Sequence, residues 1–329
     1  VRAAFLYLGP LDVSTWSYAH DQGRIAAAQT IGLDTLPVQG VTAGNAEQMI
    51  RAQIAQGYNV IFATSFDFAD AVLKIAPEFP NVVFEQATGV TTAPNVSVYD
   101  GRIYQSWYLA GMAAGSMTGT NMIGYVAPLP IPEVVRDMNA FTLGVRSVNP
   151  SAKVYPNWIN TFLNPAKERD AAESLIAMGA DVVARESDSV QPEQVAAERG
   201  VWAIGYNSVP PGDDLPNLLT APIWHWEVFY DKELADLVAG SWSNAPVWWG
   251  TPEGLVDIAP VNAVVPAATR SQITAKHDAL HLGSFDVFAG PISDNTGKVR
   301  VQAGSSLTDA QLLSLDWLVD GVVGQLPTP

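Results

Sequence analysis

Short unbroken apolar runs alternate with longer stretches of helical periodicity along this chain, and that alternation limits what it can fold into. Runs at 3–8, 59–63, 82–85, 122–127, 153–157, 181–184 and 202–206 are strand-length. Continuous apolarity is what a strand buried on both faces of a parallel sheet requires. Between them, segments 17–31, 46–56, 68–79, 104–117, 134–149, 165–178 and 192–199 carry helical patterns, several closed by glycine, as at Gly32 and Gly57. Parallel strands need a crossover connection, and a helix is the usual one, so the order implies a doubly wound α/β sheet.

The pattern restarts near residue 122, which implies two similar lobes. We expect lobe 1 to hold 1–121 and about 224–253, and lobe 2 to hold 122–223 and about 254–329. The stretch Ile54-Ala55-Gln56-Gly57-Tyr58-Asn59-Val60-Ile61 echoes Ile176-Ala177-Met178-Gly179-Ala180-Asp181-Val182-Val183. Both read as helix end, glycine cap and strand, which fits either a duplicated domain or a common solution to the same loop. The tail is less regular. Helices are expected at 226–240, packing back on the first lobe, and at 271–281. A hairpin over 288–301 turns at Asn295-Thr296-Gly297, and a last helix over 309–323 is capped by Thr308.

Composition excludes several functions. The 48% hydrophobic and 15% charged content is that of a buried globular chain, and 329 residues suffice for two domains. A net charge of −16 argues against nucleic acid, whose phosphates demand Lys and Arg, and against anionic lipid. The charge itself is read as a solubility feature. No apolar run reaches the roughly 20 residues of a membrane span. There is no cysteine, so disulfides, thiolate metal sites and a cysteine nucleophile are excluded. The chain opens directly on a strand-like segment, so any signal peptide, with any lipid-bearing cysteine, is expected to have been removed.

Catalytic signatures are also missing: no G-x-S-x-G, no G-K-[ST] phosphate loop and no H-E-x-x-H. His277 and His281 share a helix face, but a pair without a third ligand is no metal site. No metal or cofactor is implied.

The aromatic residues are more informative. Trp16 and Tyr18 follow the first strand, and Phe66 follows the strand ending at Ala63. Trp158 and Phe162 follow the strand ending near Asn157, and Trp224 follows Leu218-Leu219-Thr220. Ligands of open α/β sheets bind beyond the carboxyl ends of strands, and ring faces there can hold a planar ring. Ser17, Glu85, Asp188 and Asn207 are the candidate polar partners for the ring edge, with Asp188 accepting from an exocyclic amine. Ordinary packing is the competing reading for each aromatic residue, and a solvated loop acid for Asp188.

These residues carry a resemblance. Gly9-Pro10-Leu11-Asp12, Asp21-Gln22-Gly23, Phe84-Glu85-Gln86-Ala87-Thr88-Gly89, Gly101-Arg102-Ile103-Tyr104, Asn164-Pro165-Ala166-Lys167-Glu168, Ile204-Gly205-Tyr206-Asn207-Ser208 and Phe288-Ala289-Gly290-Pro291-Ile292 resemble the basic membrane protein family. Its members are substrate-binding subunits of ABC importers, related to purine nucleoside receptor lipoproteins. The resemblance spans essentially the whole chain. It implies a type I periplasmic-binding-protein fold with two lobes and a hinge, a purine as ligand, a membrane permease as partner, and a periplasmic or otherwise extracytoplasmic monomer, lipid-anchored if its precursor is lipidated.

The chain departs from the nucleoside-binding relatives at three places. Thr15-Trp16-Ser17 stands where they have Ser-Phe-Asn, Tyr206-Asn207 where they have Val-Asp, and Trp224 where they have Lys. An Asp and a Lys together can grip ribose hydroxyls, and both are replaced here. Those replacements favour a free base, and the chain looks most like the adenine-associated branch of the family, a resemblance that implies adenine as first choice and another purine as second. A nucleoside or another flat ring such as riboflavin as ligand, a nucleoside or base hydrolase of similar fold, and a sensory domain are the alternatives. The hydrolase lacks an acid–base–nucleophile set and the sensory domain an attached signalling segment.

Overall fold

Four-residue strands buried along their whole length form the centre of the first sheet. Ala3–Leu6 and Val60–Ala63 pair in parallel, and every one of their side chains is buried. In this computed structural model, which describes residues 1–11, 15–209 and 215–327, the chain divides into two compact units. One contains Val1–Arg102 and Trp224–Leu255, and the other Ile103–Ile223 and Val256–Pro329. Asp12 of the first motif lies outside the described residues.

The sheet of the first unit has six parallel strands in the order Val247–Trp249, Val96–Gly101, Val83–Ala87, Val60–Ala63, Ala3–Leu6, Thr35–Val38. Three of these had no signal in the reading above. Thr35–Val38 and Val247–Trp249 are edge strands, mostly half-buried, so neither shows an unbroken apolar run. Pro37 is tolerated at an edge because a lost ladder bond there is not missed. Val96–Gly101 mixes polar and apolar residues. The helix Trp16–Ile31 is capped by the Thr15 hydroxyl and stopped by Gly32 in the left-handed conformation (φ 74°). It packs on Trp226–Ala239, the segment expected to return to this unit. Gly23 permits that approach: a Cβ there would lie 2.6 Å from the Trp226 Cβ.

The second unit carries five parallel strands in the order Leu218–Thr220, Trp202–Ile204, Val182–Arg185, Met122–Ala127, Lys153–Trp158. The helix Tyr104–Met117, placed with the first lobe above, packs in this unit against Pro132–Val148. Its small residues are the reason. Added Cβ atoms would lie 2.1 Å from the Phe141 carbonyl oxygen at Gly111 and 2.5 Å from that of Val145 at Gly115. At Gly144 of the facing helix the distance to the Tyr108 carbonyl oxygen would be 1.9 Å. The two echoing phrases adopt one geometry, with Gly57 (φ 87°) and Gly179 (φ 114°) each donating 2.9 Å bonds three residues back, to Ile54 and Ile176.

Two helices are shorter than expected. The segment 68–79 divides into a turn at Phe66–Phe68, a helix Ala69–Ile75 and a turn at Ala76–Glu78, where Pro77 has no N–H to continue the ladder. The last helix spans only Asp309–Leu313, with Thr308 and Gln311 forming a capping box. Beyond it, Leu315, Leu318, Val319 and Val322 are buried in irregular chain. Asn139 pins that stretch by donating to the Trp317 carbonyl (2.8 Å) and accepting from the Val319 N–H (2.9 Å). Helix-like spacing of apolar residues there reflects tertiary contacts. The hairpin forms as expected from Ile292–Ser293 and Val299–Val301.

Candidate ligand-binding residues at the strand ends

In the first unit the loop after Ala3–Leu6 leads into the helix that begins at Trp16. The Trp16 indole N–H donates to the Thr64 carbonyl (2.5 Å), just past the end of Val60–Ala63, so one ring bridges two neighbouring strand ends. The ring is half-buried. It stands edge-on to His20 (4.4 Å between centroids), Trp224 (5.4 Å) and Trp226 (5.5 Å). Those three form a column: Trp224 stacks on Trp226 at 4.6 Å, and Trp226 on His20 at 4.2 Å. His20 is fully buried, and desolvation holds its pKa well below the ordinary imidazole value. Its Nδ1 is 2.5 Å from the Tyr230 hydroxyl, which lies 3.1 Å from that of Tyr99. The column is therefore a neutral, fixed support behind Trp16.

The other candidates of this unit separate. Tyr18 is half-buried on the same helix, and Phe66 stands 47% exposed in the turn after Val60–Ala63. Ser17 is buried, its hydroxyl accepting from the Gly9 N–H (2.9 Å) and so tying Gly9 to the start of the helix. Trp224 is 5% exposed and belongs to the column. Glu85 is fully buried in mid-strand and accepts from the Trp242 indole N–H (2.6 Å). It is not grouped with Trp16.

Burial raises the Glu85 pKa well above the carboxylate range, and the neighbouring Glu233 carboxylate raises it further. A carboxyl with a raised folded-state pKa contributes most stability below its unfolded pKa, and loses that contribution as pH climbs through the folded value. We expect the melting temperature to fall as pH rises above about 5, the upper edge of the ordinary carboxylate range. Glu85→Gln keeps an acceptor for Trp242 and removes the charge. At pH 8 it should melt about 2–4 °C higher than the native chain, the shift that about 1 kcal/mol produces in a domain of this size. Calorimetry of both proteins from pH 5 to pH 8 checks this. Parallel curves would mean that Glu85 is not the titrating group.

In the second unit, Asp188 and Asn207 follow the adjacent strands Val182–Arg185 and Trp202–Ile204. The Asn207 Nδ2 donates to Asp188 Oδ1 (3.1 Å), and the Asp188 N–H donates to the Phe162 carbonyl (2.8 Å). Three candidates thus meet at one end of the sheet. Asn207 is 1% exposed, has left-handed backbone (φ 72°), and its Oδ1 has no partner among the described residues. Trp158 ends the edge strand Lys153–Trp158 and borders an open hollow of about 360 Å³ shared with Asn160, Lys167 and Asp170.

Several supporting residues were not singled out from the sequence. Arg185, 1% exposed, donates through Nε to Glu193, through NH1 to the Ser187 carbonyl (2.7 Å) and through NH2 to the Tyr206 carbonyl (3.1 Å). Glu168 accepts from both the N–H and the hydroxyl of Ser189 (2.8 Å each). Glu186 accepts from the Tyr125 hydroxyl (2.7 Å), and burial followed by the Asp137 charge raises its pKa well above the usual range. A signal for Arg185 existed: an arginine closing a buried apolar run must be paired. His277, considered above for a metal, has its Nε2 3.0 Å from Asp257.

Two units, each built on a parallel sheet with aromatic and polar residues at the carboxyl ends of its strands, are the build of a type I periplasmic-binding protein. The fold is shared with an ABC transporter solute-binding protein from Conexibacter woesei (TM-score 0.71, 24% identity, covering 87% of this chain and 98% of that one). The family profile described as ABC transporter substrate-binding protein PnrA-like (Bmp) matches residues 1–281. A purine-binding protein of Brucella abortus is 35% identical over 330 residues, covering 99% of this chain and 94% of that protein. A putative ABC transporter glucose-binding protein of Haloferax volcanii is 38% identical over 331 residues, covering 100% of this chain and 82% of that protein. The chain belongs to the PnrA-like family of ABC transporter substrate-binding proteins. That membership implies a small-molecule ligand and a membrane permease. No helix among the described residues is long and apolar enough to cross a membrane.

Proposed function

We propose that the chain is an extracytoplasmic receptor for a purine base, adenine first, which it binds without turnover and delivers to its permease. The ring edge is read in the second unit, through Asp188 and Asn207. The observation that carries this reading is the Asn207 carboxamide. The Asp188 carboxylate can only accept, so the side of Asn207 that faces it must be the NH2 group. Oδ1 is thereby turned away as a buried acceptor without a partner among the described residues, and such an atom costs about 1–3 kcal/mol unless a donor meets it. An exocyclic amine meets it; an oxo group repels it. The purine-binding relative supports the same ligand class.

A sugar hydroxyl also donates, and the relative described as a putative glucose-binding protein favours that second reading. Titration calorimetry with adenine, hypoxanthine, adenosine and glucose separates them. Adenine should bind at least about tenfold more tightly than hypoxanthine or adenosine, a gap of about 1.4 kcal/mol, and should be recovered unchanged after hours of incubation. Glucose should give no heat. Binding of glucose without adenine would establish the sugar reading, and released ammonia would establish an enzyme.

A further inference from the structure

The guanidinium of Arg185 holds the two peptides that launch the ring-edge residues. Its NH1 and NH2 reach the carbonyls of Ser187 and Tyr206, and each carbonyl belongs to the peptide whose nitrogen is that of Asp188 or Asn207. The third edge of the fork is anchored on Glu193, 4% exposed, from the helix Gln191–Arg199. A planar fork with donors in fixed directions sets two loops at once, which an ammonium cannot do. Asn207 needs the help, because left-handed backbone is uphill for a residue with a Cβ. Burying an Arg–Glu pair is seldom the most stable solution, since apolar residues of similar size often do as well or better. Its presence here is explained by what it positions.

We propose that Arg185, anchored by Glu193, is a positioning residue that sets ligand selectivity, by holding the Asp188–Asn207 pair in the register that presents Oδ1 outward. This rests on the purine reading above. The decisive variant is the double substitution Arg185→Met with Glu193→Gln, which removes the buried charges without leaving one unpaired; Arg185→Lys is the second. For each, adenine and hypoxanthine affinities are measured by calorimetry alongside the melting temperature. The double variant should stay folded, with its melting temperature lowered by no more than a few degrees, because no buried charge is left unpaired and the Ser187 carbonyl is the group that loses its donor. Its adenine affinity should nevertheless fall about tenfold, and its adenine-to-hypoxanthine ratio should drop towards parity, as expected when an aligned hydrogen bond worth about 1 kcal/mol or more is lost. Arg185→Lys should lower the ratio in the same direction. A folded variant of either kind that keeps the native ratio overturns the proposal. So does loss of folding in both, since the pair would then serve the fold as a whole. A native chain that binds no purine overturns the purine reading itself, and this inference with it.

Discussion

A Gly144→Ala chain is expected to lose about 3 kcal/mol or more of stability in its second unit, at or beyond the upper end of the usual overpacking range. The added methyl carbon would sit 1.9 Å from the Tyr108 carbonyl oxygen and 2.8 Å from its carbon. Both are backbone atoms of the helix Tyr104–Met117, so no side chain can swing aside. The helices would have to separate along a seam where Gly111 and Gly115 leave no room for a Cβ either, at 2.1 and 2.5 Å from carbonyl oxygens. A typical domain has about 5–15 kcal/mol in total, so the loss should appear as a lower melting transition and early proteolysis. Ser174→Ala, at an exposed position of the helix Pro165–Ala177 in the same unit, is the control and should melt like the native chain. A Gly144→Ala protein with native melting would mean that this helix pair is not in contact.

That seam also shows where the sequence stops being sufficient. Tyr104–Met117 is recognisable as a helix, and its small residues are visible, but which lobe it joins depends on the helix that its glycines face. The buried central strands were legible because a strand covered on both faces must be apolar throughout, as Ala3–Leu6 and Val60–Ala63 are. Half-exposed edge strands carry no such constraint, and Thr35–Val38 and Val247–Trp249 went unread. At the strand ends, position along the chain pointed to Trp16, Phe66, Asp188 and Asn207 through a general rule about open sheets. It does not show that the Ser17 hydroxyl accepts from the Gly9 N–H, or that Glu85 finds its partner in Trp242, 157 residues away. In the sequence Trp224 is a candidate ring face that stands where the nucleoside-binding relatives have Lys; in the first unit it stacks on Trp226 in a column ending at His20. The Arg185 fork was hidden for a related reason: its targets are backbone carbonyls, which leave no trace in residue identity.

Asn207→Asp tests the ring-edge pair most directly, and its expected result is a pH dependence that the native chain lacks. The substitution sets a second carboxyl 3.1 Å from Asp188 Oδ1. Two carboxylates so close cannot both ionise cheaply, and the pair should retain one proton to well above the ordinary carboxylate range. While that proton remains, the new side chain imitates the amide: its O–H donates to Asp188, and its other oxygen faces outward to accept from the ligand. Adenine should then bind within a few-fold of the native affinity at pH 5.5. Once the proton leaves, mutual repulsion drives the two groups apart and the outward acceptor is lost. A like-charge shift of about two pKa units corresponds to about 2.7 kcal/mol. Adenine affinity should accordingly fall about 100-fold by pH 8, while the native Asn207, which does not titrate, holds its affinity across the range. The additional substitution Asp188→Asn removes the repulsion and should abolish the pH dependence. Calorimetry at pH 5.5, 7 and 8 on the three proteins decides it. An Asn207→Asp chain that binds adenine natively and without regard to pH would place the ring edge elsewhere than on Asp188 and Asn207.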